Sequence, residues 1–318
     1  MPIMQKILLS GVKPTGRSHI GNYFGAMKQW LTLQDEHQCF LFIADYHSLN
    51  FIQNREEMNQ NILDLALDYL AIGLDPEKVT IFKQSDVSEH TELAWIFDTI
   101  TTMPYLKRAH AFKDAEAKEK EISVGTFNYP MLMASDILLY SPHVVPVGQD
   151  QKQHVEITRD TAEKFNHIFG KEVFNMPEPM ILGEVAVVPG IDGQKMSKSY
   201  GNTIPLFATD EEIKKQVMAI VTDSSSEIPK NVYAIHALIK PKEELDALYE
   251  ANKGKYKALK DALTEDLIAF ITPMRERRKA FENDIEKVKE ILKKGGEKAK
   301  IVAAKKMEEV REAIGVSL

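Results

Sequence analysis

Residues 10–22 read Ser-Gly-Val-Lys-Pro-Thr-Gly-Arg-Ser-His-Ile-Gly-Asn (SGVKPTGRSHIGN). Immediately before them stands the apolar triplet Ile7, Leu8, Leu9. From their end onward, Ile20, Phe24, Met27 and Leu31 recur at spacings of 4, 3 and 4. The short apolar run predicts a buried strand, and the 4-3-4 spacing predicts one face of a helix. Three glycines, at 11, 16 and 21, lie in the connection. Such a strand-to-helix connection lets the backbone approach a phosphate at a helix start, where free N–H groups favour anions. One strand, one glycine-bearing loop and one helix thus point to an α/β architecture.

Working outward, the same alternation repeats. Residues 39–44 (CFLFIA) form a continuous apolar run of strand length, as a sheet covered on both faces requires. Met58, Ile62, Leu65, Tyr69 and Ile72 mark a second helix closed by Gly73, and residues 79–82 a third strand. Leu93, Ile96, Phe97 and Ile100 mark another helix, with Ser88 as expected N-cap and Pro104 past its end. Residues 113–121 lack an apolar face and predict an exposed loop or frayed helix. A strand is expected at 144–147, a helix at 152–169 and loop at 182–202. Beyond Pro205 only helical patterns remain: Ile213, Val217 and Ile220, then a long stretch over 256–294 that Pro273 should kink or split. Gly295 and Gly296 are expected to separate a last helix carrying Ile301, Met307, Val310 and Ile314. The expected fold is a Rossmann-like, doubly wound parallel α/β sheet followed by a C-terminal all-helical domain. The expected division is 1–204 and 205–318, with a helical insertion at about 88–125.

Composition narrows the class. The chain has 318 residues, 44% of them hydrophobic and 27% charged, which excludes disordered and collagenous chains. One cysteine, Cys39, excludes an internal disulfide and any cysteine-rich zinc or iron–sulfur site. The nine histidines show no HxH, HxxxH or HExxH spacing, so no protein-bound metal is expected. No run approaches about 18 apolar residues and the first residues are too short for a signal segment, so a cytoplasmic location without membrane contact is expected. The net charge is −7, but residues 251–318 carry 17 basic against 12 acidic groups, leaving the acidic excess in the rest. A basic end on an acidic body permits a polyanion partner there, as do ordinary solvated helices.

Two loops carry candidate chemistry. Residues 11–18 (GVKPTGRS) nearly match the P-loop pattern, with Asp45 ending the next apolar run. Against that reading, Arg17 stands where the phosphate-bridging lysine belongs and Pro14 removes a backbone donor. The second loop is Lys195-Met196-Ser197-Lys198-Ser199, bounded by Gly193 and Gly201: two lysines with interleaved hydroxyls on a mobile loop make a polydentate phosphate grip.

His19-Ile20-Gly21-Asn22 and the KMSKS loop, 176 residues apart, resemble the two signature motifs of class I aminoacyl-tRNA synthetases. Residues 11–26 (GVKPTGRSHIGNYFGA), 129–140 (YPMLMASDILLY) and 145–160 (VPVGQDQKQHVEITRD) are similar to the bacterial-type tryptophanyl branch of that family. The likeness spans nearly the whole chain. It implies ATP-dependent activation of L-tryptophan and transfer to tRNA(Trp), with Mg²⁺ carried in on ATP and no iron–sulfur cluster. It further implies a homodimer and a tRNA-binding helical end, where Arg275, Arg277, Arg278 and Lys279 cluster. The resemblance assigns catalysis to His19, Lys195 and Lys198. It assigns ATP contacts to Lys13, Pro14, Thr15, Gly21, Asn22, Gly148, Gln149 and Asp150 and to all five residues from Lys195 to Ser199. Asn22 replaces the final histidine of the signature, and Lys13 stands where many members carry glutamine. The alternatives are a tyrosyl enzyme on the same fold, a P-loop NTPase, or a non-catalytic nucleic-acid-binding module.

The reaction suits these residues. An amino-acid carboxylate is already ionised near neutrality, so activation needs alignment and charge stabilisation rather than a general base. For the amino acid, Tyr129, Met133, Asp136 and Tyr140 share one helical stripe at spacings of 4, 3 and 4. Asp136 is the expected acceptor for an indole N–H, with Tyr129 and Met133 as pocket walls, since a buried carboxylate needs a donor and indole is donor only. Asp136 bracing a neighbouring backbone is the structural alternative.

Overall fold

The computed structural model describes residues 6–117, 121–147, 152–181, 188–222 and 227–317. Five parallel strands form one sheet in the order β3-β2-β1-β4-β5: β1 (Ile7–Val12), β2 (Gln38–Ile43), β3 (Val79–Lys83), β4 (Val144–Val147) and β5 (Glu178–Ile181). The register sets Leu8 beside Cys39 and Val144, and Cys39 beside Val79. This is the Rossmann-like sheet expected from the alternation of apolar runs and helices. Its order reverses between β1 and β4, and ligands of such sheets bind outside the carboxyl ends at that point. β5 falls where no strand was expected. Its Pro179 breaks the strand pattern, which an edge strand paired on one side only tolerates.

Alternate side chains of each strand face opposite cores. Leu8, Leu41, Ile43 and Ile81 face one, and Leu9, Phe40, Phe42 and Phe82 the other. In the first half the helices are α1 (Ile20–Asn22), a π-helical turn (Tyr23–Met27), α2 (Lys28–Leu33), α3 (Asp45–Ser48) and α4 (Arg55–Ala71). Ile20, Phe24 and Met27 are buried as their spacing predicts, and Trp30 joins them. Asn54 caps α4 through Glu57 N, and Gly73 follows at φ +110. After β3 come α5 (Glu89–Ile100), α6 (Met103–Leu106), α7 (His110–Ala117) and α8 (Val124–Leu138). Ser88 occupies the N-cap position of α5, but its side chain makes no capping bond. Helix α9 (Lys152–Phe169) connects β4 to β5.

Beyond β5 the regular elements are helical: α10 (Asp210–Ala219), α11 (Lys230–His236), α12 (Lys242–Ala251), α13 (Tyr256–Glu282) and α14 (Ile285–Ala313). The chain splits neither at Pro273 nor at Gly295 and Gly296. Pro273 lies inside α13, whose turns continue past it because Leu259, Leu263, Leu267, Ile271 and Met274 form an unbroken buried stripe. Gly295 and Gly296 lie inside α14, and the chain turns instead at Asn283 and Asp284. The glycines serve packing. A Cβ at Gly295 would stand 1.8 Å from the carbonyl oxygen of Ile81, and one at Gly296 would stand 2.8 Å from Asp86 Cβ. Before the glycines, Val288 and Leu292 enter the first core; after them, Ala299, Ala303, Met307 and Val310 enter the second. Helix α14 therefore passes over the exposed edge of β3, covering a strand that would otherwise offer unpaired backbone.

Candidate active site

The loop leaving β1 is shaped by close approaches. A Cβ on Gly11 would lie 2.5 Å from the Phe42 ring, Pro14 is buried, and Gly16 adopts φ +92. His19 begins the helix in extended conformation (φ −125, ψ 165). Its Nδ1 accepts the Asn22 backbone N–H at 3.2 Å, and its own N–H donates to Asn22 Oδ1 at 3.1 Å. Asn22 thus closes a reciprocal cap, which accounts for an amide in place of a second imidazole. Burial and the nearby Lys198 ammonium lower the His19 imidazole to about 4. At neutral pH it is uncharged, and because Nδ1 accepts, Nε2 carries the proton and is the free donor.

The KMSKS loop meets this segment. Lys198 Nζ donates to the carbonyls of Thr15 (3.2 Å) and Gly16 (2.8 Å), and burial lowers its ammonium below the ordinary lysine range. Met196 is buried, and its Cβ would be 3.3 Å from a Cβ on Gly21, so that glycine admits the loop beside His19. Ser197 Oγ lies 2.8 Å from Ser199 Oγ, while Lys195 is exposed. Asn202, which the sequence reading passed over, holds the loop from beneath. It accepts the Ser197 N–H at 2.8 Å and donates to Asp192 at 2.8 Å and to the Lys195 carbonyl at 3.1 Å. Gly190 makes room for it, since a Cβ there would lie 2.3 Å from its Nδ2. A Gly-Asn pair bracketing a lysine loop was the only signal available.

Asp45 and Arg17 are engaged elsewhere. Asp45 accepts Ser85 Oγ (2.5 Å), Ser85 N (3.0 Å) and Tyr46 N (3.1 Å), and Arg17 pairs with Glu212 at 3.1 Å. This loop is no P-loop.

On α8, Tyr129 and Met133 are partly exposed and Asp136 is 1% exposed, so the stripe descends from the surface into the core. Asp136 Oδ1 accepts Gln84 Nε2 at 2.7 Å and His90 Nδ1 at 2.6 Å, and Oδ2 accepts His47 Nε2 at 2.9 Å. Burial alone would raise this carboxyl; hydrogen bonds from His47 and His90 outweigh it and hold it at about 2. Tyr140 bonds the other face of His90 at 2.9 Å. Tyr129 Oη bonds His154, and its ring lies 6.1 Å from that of His47. The sequence reading missed His47, Gln84 and His90. Lone polar residues at strand ends give no motif, although His47 and Gln84 follow β2 and β3 on the sheet's ligand-binding edge. Lys13 sets its ammonium 4.9 Å from the Phe51 ring, and burial lowers it. Gly148, Gln149 and Asp150 lie outside the described residues.

Three of the four residues of the basic cluster on α13 bond to the protein itself. Arg275 donates to the Ala208 carbonyl and pairs with Asp210, and Arg277 donates to the Ala71 carbonyl at the end of α4. Arg278 pairs with Asp68 at 2.9 Å, with Asp64 at 2.6 Å and with Glu282. Of the four residues expected to face a polyanion, Lys279 alone has no such bond among the described contacts and is exposed. Among the described residues no group of three or more His, Cys, Asp or Glu side chains is placed to hold a metal ion.

Residues 4–309 match the family model of tRNA synthetases class I (W and Y). Over 316 residues the chain is 48% identical to the tryptophan–tRNA ligase of Fusobacterium nucleatum, covering 97% of each. It is 45% identical over 318 residues to that of Rhodopirellula baltica, covering 97% of this chain and 99% of the relative. The crystal structure of tryptophanyl-tRNA synthetase from Campylobacter jejuni, complexed with ADP and tryptophan, superimposes with a TM-score of 0.91 at 43% identity. That match covers 97% of this chain and 99% of the other.

Proposed function

This chain belongs to the class I tRNA synthetases of the tryptophan and tyrosine group, and on that footing we propose how its residues divide the work. The enzyme activates L-tryptophan with ATP to tryptophanyl-adenylate and pyrophosphate, then transfers the tryptophanyl group to tRNA(Trp). The observation that carries the reading is the meeting of the two signature loops: Lys198 on the carbonyls of Thr15 and Gly16, with Met196 packed beside Gly21 and His19.

In the first step the tryptophan carboxylate attacks the α-phosphorus and the bond to the bridging oxygen of pyrophosphate breaks. The protein's task is to hold these groups in line and receive the charge growing on phosphate oxygens. We assign His19 Nε2–H as a neutral donor, and Lys195 and Lys198 as cations. When the triphosphate enters, Lys198 exchanges the Thr15 and Gly16 carbonyls for phosphate oxygens. Lys13, Pro14, Thr15, Gly21, Asn22, Met196, Ser197 and Ser199 line the ATP subsite in this assignment, with Gly148, Gln149 and Asp150 completing it. Mg²⁺ arrives on the triphosphate. Asp136 accepts the indole N–H, and Tyr129 and Met133 flank the ring.

Residues 1–204 then form the catalytic unit, with 88–125 as its helical insertion, and 205–318 the helices that receive tRNA. The exposed Trp95 of α5 and Met103 of α6 support a homodimer. No helix among the described residues is long and apolar enough to cross a membrane, and we place the enzyme in the cytoplasm. Pyrophosphate exchange into ATP, run with tryptophan, with tyrosine and with neither, tests the assignment. Exchange with tryptophan alone is the expected result, and a preference for tyrosine would overturn it.

A further inference from the structure

The Asp136 carboxylate is almost completely occupied by the protein itself. An ionised carboxylate offers about four lone-pair positions. Gln84 and His90 take both on Oδ1, and His47 takes one on Oδ2. A single acceptor position remains, on Oδ2. The three donors come from three different elements: His47 from α3, Gln84 from the turn after β3, and His90 from α5.

Two of the three donors are themselves locked. Gln84 Oε1 accepts the backbone N–H groups of Tyr46 (3.1 Å) and His47 (3.4 Å), so its amide can present only N–H to Asp136. His90 is fully buried beside the rings of Phe42 and Phe82, at 6.0 and 6.4 Å, with Tyr140 Oη on its far nitrogen. The three donors converge on one carboxylate.

We infer that Gln84 and His90, together with His47, are specificity-positioning residues that fill three acceptor positions of Asp136 and leave one, aimed at a single N–H donor of the bound amino acid. This deepens the assignment of Asp136 as indole acceptor and rests on it. An indole N–H fills the last position and brings no lone pair that needs a donor. A phenol also donates, but its oxygen arrives among N–H groups already engaged by Asp136, and a buried acceptor without a donor is costly. A ring with no donor leaves the position empty. Without the brace the carboxylate could rotate to other partners and the distinction would fade.

The test compares tryptophan with an isosteric analogue in which sulfur replaces the indole N–H, β-(benzothiophen-3-yl)alanine, using pyrophosphate exchange on the full-length protein. In His90→Leu the KM for tryptophan should rise about tenfold, with kcat and the KM for the sulfur analogue each within about twofold, as expected for one weakened hydrogen bond to a charged group. His90→Gln, which keeps an N–H donor, should recover most of the loss. Gln84→Met should reproduce the same split and carries the test if His90→Leu does not fold. Equal KM shifts for both substrates would overturn the brace, as would an unchanged KM for tryptophan. A wild-type enzyme indifferent to loss of the N–H would overturn the assignment of Asp136 itself, and the brace with it.

Discussion

His19 shows how one side chain can be tuned by its surroundings. Burial and Lys198 lower its imidazole from the ordinary 6.5 to about 4. Between those values the unfolded chain binds a proton that the folded chain does not. Stability therefore falls as pH drops from about 6.5 toward 4, and is fully present above 6.5. His236, also lowered by burial, contributes with the same sign, so the wild-type minus His19→Gln difference isolates His19. Urea midpoints across pH 4–7 should show a shallower pH dependence in the variant, and parallel curves would contradict the lowered imidazole. Asp136 titrates in a separate window: its stabilisation is lost only as pH falls from 3.8 toward about 2. In the proposed assignment Lys198 acts by charge. Lys198→Ala should slow adenylate formation by up to ~3–4 kcal/mol, as for one electrostatic donor lost from a transition state. Tryptophan affinity measured by equilibrium dialysis should stay unchanged; a wild-type adenylation rate would sink the assignment.

At the scale of elements, the glycine pair of α14 is explained by what it crosses. Gly→Ala inside a helix normally gains about 1 kcal/mol. At Gly295 the new Cβ would meet the Ile81 carbonyl at 1.8 Å, and backbone cannot swing aside as a side chain can. Helix α14 would have to lift off β3, and overpacking of this kind costs roughly 1–3 kcal/mol or more. Gly295→Ala should thus be destabilised in thermal melts and Gly296→Ala less so, because the latter meets the Asp86 side chain at 2.8 Å. The reverse order would refute the crossing. Arg278 is the matching staple on α13. It pairs with buried Asp68, which also accepts from Ser18, the residue before His19. Arg278→Ala should cost about 3 kcal/mol, as for breaking a buried pair. Because its guanidinium faces inward, the salt dependence of tRNA binding should not change. A shallower salt slope in that variant would instead place Arg278 on a phosphate.

On the scale of the whole molecule, the helical end is fastened to the sheet rather than suspended beside it. Arg275, Arg277 and Arg278 tie α13 to the segment before α10 and to α4, and α14 spans the sheet edge. The outer surface carries Trp95 at 71% and Met103 at 63% exposure, apolar area that the proposed dimer would cover. Trp95→Glu should shift the sedimentation profile from dimer toward monomer, and a wild-type chain that sediments as a monomer would rule out the interface.

Local pattern determined much of this protein. Strand-length apolar runs and 3–4 spacings were enough to mark β1 to β4 and most helices, because burial on a sheet or helix face imposes those periods directly. The two signature loops were legible as letters. That Lys198 reaches the carbonyls of Thr15 and Gly16 was not, since contacts 182 and 183 residues apart leave no local trace. The same holds for His47, Gln84 and His90 around Asp136: four elements converge, each contributing one polar residue that alone resembles any other. Edge strand β5 stayed hidden behind Pro179, which an edge strand tolerates because one of its sides is unpaired. Pro273 and the Gly295–Gly296 pair carry the signals of helix breaks, yet the helices run through them. Tertiary packing decided those cases, because a buried leucine stripe outweighs one missing hydrogen bond, and a backbone 1.8 Å from a would-be Cβ permits nothing larger than glycine.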